Sequence, residues 1–367
     1  MTRSTFQSKV SNINQETIAP INANGLKVPL VFVDQLDRDR LDRDRLDQLD
    51  RVRGLVWKIA IATLLLMAVG SATRVMNAGL ACPDWPLCYG QLVPTRQMNL
   101  QVFLEWFHRL DAALIGLSTL TLVIITWWQR SGLPRWLPWA ATFSLGLIFC
   151  QGILGGLTVT ELLRFDIVTA HLGTALLFLI TLLAIGTALM PFPPSQRTIF
   201  RESVTEHSRN PVTEHSQNPV TERSRSSKLA RLGLTAAILV YLQSILGGLV
   251  GSRWALHQCF GSGELCAVMN SHLWGVIPAS LATLSVVFVA WRTPGLHPLL
   301  RRLSNLISCL LLGQIALGYA TFKLHLQVES LTVAHHTLGA SLVGTLVVFT
   351  VLAWRDTVNS GQLVVNR

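Results

Sequence analysis

"IVTAHLGTALLFLITLLAIGTAL" (167–189) contains no Asp, Glu, Lys or Arg, and its one histidine stands near the beginning. An apolar run of about 18 residues or more is long enough to cross a hydrocarbon layer as a helix. Seven further runs, nearly free of charge, occupy roughly 54–75, 103–128, 136–158, 229–251, 268–291, 304–322 and 331–354. Lipid offers no partner to a backbone N–H or C=O, so each run must satisfy its own hydrogen bonds as a helix, which rules out open sheet. The composition agrees, with 50% hydrophobic and only 14% charged residues. The expected fold is an all-α polytopic membrane protein, its eight transmembrane helices forming two pseudo-symmetric four-helix bundles.

The net charge of +10 is a matter of topology rather than of nucleic-acid binding. Arginines concentrate in "QRSGLPR" (129–135), "WRTPGLHPLLRR" (291–302), the 191–230 connection and "WRD" (354–356), all on the side of the N-terminus. The positive-inside rule then expects both termini in the cytoplasm and the loops after the first and fifth spans outside. No apolar signal-peptide region precedes Gly54. "LDRDRLDRDRLDQLDRVR" (36–53) reads as a solvated tail or interfacial helix. "VTEHSRNPVTEHSQNPVTERSRS" (204–226) repeats every eight residues and reads as a disordered linker, which makes His207 and His215 poor metal candidates. The expected divisions are a charged cytoplasmic tail (1–53), an N-terminal bundle (54–190), a cytoplasmic linker (191–228), a C-terminal bundle (229–356) and a short cytoplasmic tail (357–367).

The two halves resemble each other. "LMAVG" (66–70), "QGILG" (151–155), "QSILG" (243–247) and "QIALG" (314–318) end the odd-numbered spans, and each return span begins with a histidine, in "EWFHR" (105–109), "IVTAH" (167–171), "VMNSH" (268–272) and "LTVAH" (331–335). From His108, His171, His272 and His335 to Trp128, Met190, Trp291 and Trp354 the chain advances 20, 19, 19 and 19 residues. At about 1.5 Å per residue that is about 29 Å, so all four imidazoles stand at one depth near the outer face. Histidines facing each other across a bundle can supply both axial ligands of a haem iron. Zinc needs a third or fourth ligand that neither half offers. A di-iron carboxylate site fails by count, because Glu105-x-x-His108 has no second copy. His336 follows His335 directly and points about 100° away round the helix, so only one can face inward; the match of "LTVAHH" to "IVTAH" selects His335.

Glu105 lies one turn nearer water on the His108 face, and an ionisable group at a membrane edge is a functional candidate. Arg109 is either its i, i+4 salt-bridge partner or an anchor for a haem propionate. Asp111 has no assigned role. Cys150 and Cys309, each isolated within a span, read as small apolar packing residues.

"TRVMNAGLACPDWPLC" (73–88), "EWFHR", the four level histidines and the external pairs Cys82/Cys88 and Cys259/Cys266 together resemble the haem A synthase family, in the bacterial form with a cysteine pair in each half. The resemblance covers roughly 54–356. It implies an oxidoreductase of the bacterial cytoplasmic membrane that converts a ring methyl of haem O to a formyl through a hydroxymethyl intermediate, giving haem A for a terminal oxidase. By the same resemblance His272 and His335 would ligate a haem b cofactor. His108 and His171 would flank the iron of haem O, with Arg109 beside it, and Glu105 would be the catalytic acid residue. The implied partners are haem O, membrane lipid, haem O synthase and oxidase assembly factors. In an oxidising compartment each cysteine pair would close as a disulfide, either as a structural staple or as a redox relay. The 191–230 insertion and His336 depart from the family pattern. The competing readings are a di-haem b-type electron-transfer protein, which needs no carboxylate at one site alone, and a haem carrier or exporter.

Overall fold

The computed structural model describes residues 30–192, 219–251, 264–324 and 327–365. Within them the chain forms eight long helices: α1 (Leu30–Val75), α2 (Leu100–Trp128), α3 (Leu137–Thr160), α4 (Phe165–Ala188), α5 (Pro219–Val250), α6 (Glu264–Arg292), α7 (Pro298–Lys323) and α8 (Glu329–Val365). All eight are long and apolar enough to cross a membrane. Many of their hydroxyl side chains bond back to their own helix. Thr119, Thr187, Thr283 and Thr350 each donate to the carbonyl four residues earlier, so none is a stranded polar group. Helix ends follow local chemistry. Asn99 caps α2 by accepting from the Val102 amide at 2.9 Å. α1 closes with the Ala78 amide on the Thr73 carbonyl at 2.8 Å, made possible by the left-handed Asn77 (φ 59°).

Helices α1–α2–α3–α4 pack in a closed ring, and α5–α6–α7–α8 repeat that neighbour order. The halves meet where α8 packs on α1 and α4, and α4 on α5. Lipid tails are as apolar as leucine, so burial alone does not drive this association; close backbone approach does. Glycines supply it. A methyl group at Gly173 would lie 2.8 Å from Ile245, one at Gly248 2.6 Å from Leu172, and one at Gly344 2.7 Å from Leu183. Two arginines tie the halves at opposite ends: Arg74 donates to the Gly248 carbonyl at 2.9 Å, and Arg355 to the Thr187 and Met190 carbonyls at 2.8 and 2.7 Å.

Three boundaries differ from expectation. The charged run 36–53 continues the first span as one helix from Leu30, because Asp and Arg at helical spacing pair along it, as in Arg53–Asp50 at 3.0 Å. Its inner end packs, with Val52 buried and Gln48 against Gly132 of the α2–α3 connection. Helix α5 reaches back to Pro219, so the last residues of the expected linker are helical. Proline is tolerated in a helix's first turn, and good helix formers follow it. Residues 193–218 lie outside the described residues. Helix α8 runs to Val365, past the expected boundary at 356.

Candidate functional site

Each of the four histidines rests on the glycine that ends the preceding helix's motif. A methyl group at Gly70 would stand 2.7 Å from His108 Cε1, at Gly155 3.5 Å from His171 Cε1, at Gly247 3.0 Å from His272 Cε1 and at Gly318 2.9 Å from His335 Cε1. The hairpin repeat read from the sequence is therefore also a repeat of side-chain contact. The glutamines opening three of those motifs hold the return helix. Gln151 Nε2 donates to the His171 carbonyl at 2.7 Å, and Gln243 Nε2 to the His272 carbonyl at 2.7 Å while lying 2.9 Å from its Nδ1. Gln314 Nε2 lies 3.4 Å from His335 Nε2. The first hairpin has Leu66 there instead. Sequence reasoning used these glutamines only to align the repeat; their recurrence at one position was the signal for a structural role.

His108 and His171 are the pair of the N-terminal bundle, His272 and His335 that of the C-terminal bundle. The Nδ1 atoms of His108, His171 and His335 are buried without a hydrogen-bond partner. A buried polar atom without a partner is costly, so an orphan points to a group that completes it. In the C-terminal half a cavity of about 460 Å³ opens between the pair, lined by His272, His335, Gln243 and Gln314 among apolar side chains. One wall comes from the other half, through Met67 of α1 and Leu172 and Leu176 of α4. Among the described residues no three His, Cys, Asp or Glu side chains converge. The C-terminal pair thus stands at an apolar cavity, a setting that would fit a flat group carrying its own metal ligands.

The N-terminal pair is roofed by the α1–α2 loop, which is built around one ion pair. Arg109 Nη2 contacts Glu105 Oε1 at 2.5 Å, and Glu105 Oε2 accepts from the Cys82 amide at 2.8 Å. Arg109 also donates to the Asp84 carbonyl at 2.6 Å, the Leu87 carbonyl at 2.5 Å and the Cys82 carbonyl at 3.4 Å. Glu105 is only 4% exposed. The sequence places this carboxylate at the water's edge with a charge of little structural weight; the structure corrects that to a buried anchor. Arg109 is thus the i, i+4 salt-bridge partner of Glu105, with its terminal guanidinium nitrogens bonded to the loop and to that carboxylate.

The rest of the loop is equally well tied. Asp84 accepts from the Tyr89 and Gly90 amides at 2.6 and 2.7 Å. Those bonds, the Gly90 one foremost, hold its carboxyl below the ordinary range, with help from the nearby Arg109 charge. Trp106 Nε1 donates to the Leu92 carbonyl at 2.7 Å. The Trp85 ring sits where a methyl on Gly156 of α3 would meet it at 3.2 Å. Cys82 and Cys88 are joined by a disulfide and buried against Val102, a staple beneath the loop rather than an exposed redox pair. The side chains of Cys259 and Cys266 lie outside the described residues. His336 lines the same cavity as His272 and His335 and also hydrogen-bonds Ser71 Oγ of α1 through Nδ1 at 2.9 Å. Cys150 and Cys309 are unpaired and exposed on their helices' outer faces, not in the core as expected.

A family model described as cytochrome oxidase assembly protein, COX15-CtaA, matches residues 53–348, a span that includes all four histidines, Glu105 and both cysteine pairs. The heme A synthase of Shewanella oneidensis is 27% identical over 364 residues, covering 84% of this chain and 99% of that protein. The heme A synthase of Rhodospirillum centenum is 26% identical over 345 residues, covering 80% and 86%. A shorter similarity, 33% identical over 99 residues, links 27% of this chain to 21% of the protoheme IX farnesyltransferase of Halobacterium salinarum. Matched along most of its length by that family model, the chain belongs to the COX15-CtaA family of cytochrome oxidase assembly proteins.

Proposed function

We infer that this protein is a haem A synthase, an integral membrane oxidoreductase that converts the ring methyl of haem O through a hydroxymethyl to a formyl group. The observation that carries the reading is the fourfold hairpin contact, histidine on glycine, inside a chain of this family and similar along most of its length to heme A synthases. His108 and His171 grip the substrate haem in the N-terminal half, and their orphan ring nitrogens support that role. His272 and His335 hold a resident haem b, supported by the apolar cavity and the glutamines beside them. When bound, haem b supplies one-electron redox chemistry near the outer face.

The chain's own groups position the substrate and keep water out. The His–Gly contacts set the depth of each imidazole, and the stapled loop lies over the N-terminal pair. Glu105 stands one turn before His108 on that helix and stabilises cationic character as the methyl is oxidised. Arg109 acts on the substrate through the loop it holds. Both termini face the cytoplasm of a bacterial cell and the cysteine loops face outward, a reading supported by the arginine distribution. The short similarity to a protoheme IX farnesyltransferase supports haem O synthase as the upstream partner, with oxidase assembly factors downstream.

The test is to supply haem O to membranes containing the protein and extract the haem. Hydroxymethyl and formyl haem are expected. Haem O recovered unchanged from protein carrying both haem sites would favour the di-haem electron-transfer reading instead.

A further inference from the structure

We propose that Ser71 and His336 form the electron bridge between the two histidine sites. The inference rests on the haem A synthase reading and adds the route by which its two halves act together. His336 is covalently next to His335, the haem ligand of the C-terminal half, and its Nδ1 lies 2.9 Å from Ser71 Oγ across the interface. Ser71 is covalently next to Gly70, the residue on which the His108 ring rests. The path therefore runs from one site to the other through two peptide links, one hydrogen bond and one van der Waals contact. Electron tunnelling decays more gently along bonds and hydrogen bonds than across a packing gap, so this contact favours coupling between the sites.

The face of α1 that carries it is built for position. Met67, Ser71 and Arg74 stand at helical spacing on the side turned to the C-terminal half. Met67 walls the cavity, Ser71 meets His336, and Arg74 locks the register on the Gly248 carbonyl at 2.9 Å. Apart from the arginine and tyrosine bonds to carbonyls, the interface closes with glycine against leucine or isoleucine, and here a buried serine, 8% exposed, is paired with an imidazole. Such a pair inside a membrane protein calls for a functional reason. The chemistry supplies one. Each oxidation of the methyl is a two-electron change, and a path between the two histidine sites would let the two haems share electrons. In the exchange one electron crosses the bridge, one iron passing from ferrous to ferric as the other passes from ferric to ferrous; no atom or proton is transferred.

The test uses holoenzyme that has converted supplied haem O and retains haem A in the N-terminal half, so that the two haems absorb at different wavelengths. One electron is injected by pulse radiolysis and its redistribution between the haems is followed by absorbance. Ser71→Ala should slow redistribution several-fold, and Ser71→Thr, which restores the hydroxyl, should recover it. Haem content and both midpoint potentials should match the wild type in each variant. Wild-type redistribution in Ser71→Ala overturns the bridge. So does loss of a haem or a shifted potential in that variant, since either marks the contact as structural. A wild-type protein that forms no haem A from haem O removes the functional reading, and the bridge with it.

Discussion

Replacing Arg109 with methionine tests whether the α1–α2 loop is held by one buried ion pair. The substitution keeps the aliphatic stem and removes every guanidinium bond. Glu105, with its side chain 5% exposed, then retains only the Cys82 amide as a partner. The Asp84 and Leu87 carbonyls lose theirs. Leaving one member of a buried pair uncompensated costs about 3–5 kcal/mol. Glu105→Gln is milder: the amide oxygen still accepts from Cys82, and Arg109 keeps its carbonyl partners, so about 1–3 kcal/mol is lost. The loop opens locally, and the loss should appear in hydrogen exchange of the 79–92 amides rather than in the helices. About 1.4 kcal/mol corresponds to tenfold, so protection should fall by about a hundredfold or more in Arg109→Met and by about five- to a hundredfold in Glu105→Gln. Loop exchange in Arg109→Met within about threefold of wild type would refute the anchoring argument. Haem analysis of the same proteins separates structure from chemistry. If Glu105→Gln stalls at haem O while the looser Arg109→Met still yields formyl product, the carboxylate itself takes part in the oxidation. If both decline in step with loop opening, its role is to hold the loop.

Gly318→Ala would bring a methyl to 2.9 Å of His335 Cε1 and should alter the axial-ligand signature in the haem spectrum, whereas Gly116→Ala, which meets nothing, should leave it unchanged. A normal spectrum in Gly318→Ala would show that the helix contact does not set ligand position. His272→Ala and His335→Ala should each lose the stably bound haem b spectrum, while His336→Ala should keep it; equal loss from His335 and His336 changes would undo the choice of ligand. In sealed cells, protease added from outside should spare 191–218. Cleavage of that linker from outside would reverse the orientation.

The spans were legible because a charge-free run has few alternatives in lipid, and the histidine pairs because one spacing recurs in four hairpins. Glu105 was legible as unusual but not as an anchor. Its partners are the Cys82 amide and, through Arg109, the Asp84 and Leu87 carbonyls, and backbone groups leave no signature in a sequence. His336 was hidden for a different reason: it looked surplus beside His335 because its partner Ser71 lies 265 residues away, on a helix whose facing side nothing local reveals. For the charged run before Gly54 the sequence left a solvated tail or an interfacial helix open, and the structure shows a mostly exposed helix continuous with the first span.

The walls of the C-terminal cavity also fix an order of events during synthesis. His335 arrives on α8, the last span to leave the ribosome, while Met67, Leu172 and Leu176 arrive on α1 and α4, before the C-terminal half has been made. The chamber therefore exists only once the final span has joined the first. A haem captured earlier would rest on His272 alone, on an incomplete surface open toward lipid. Closure of α8 against α1 brings His335 and the missing wall together, so on the proposed reading loading the cofactor and finishing the fold would be one step of biogenesis.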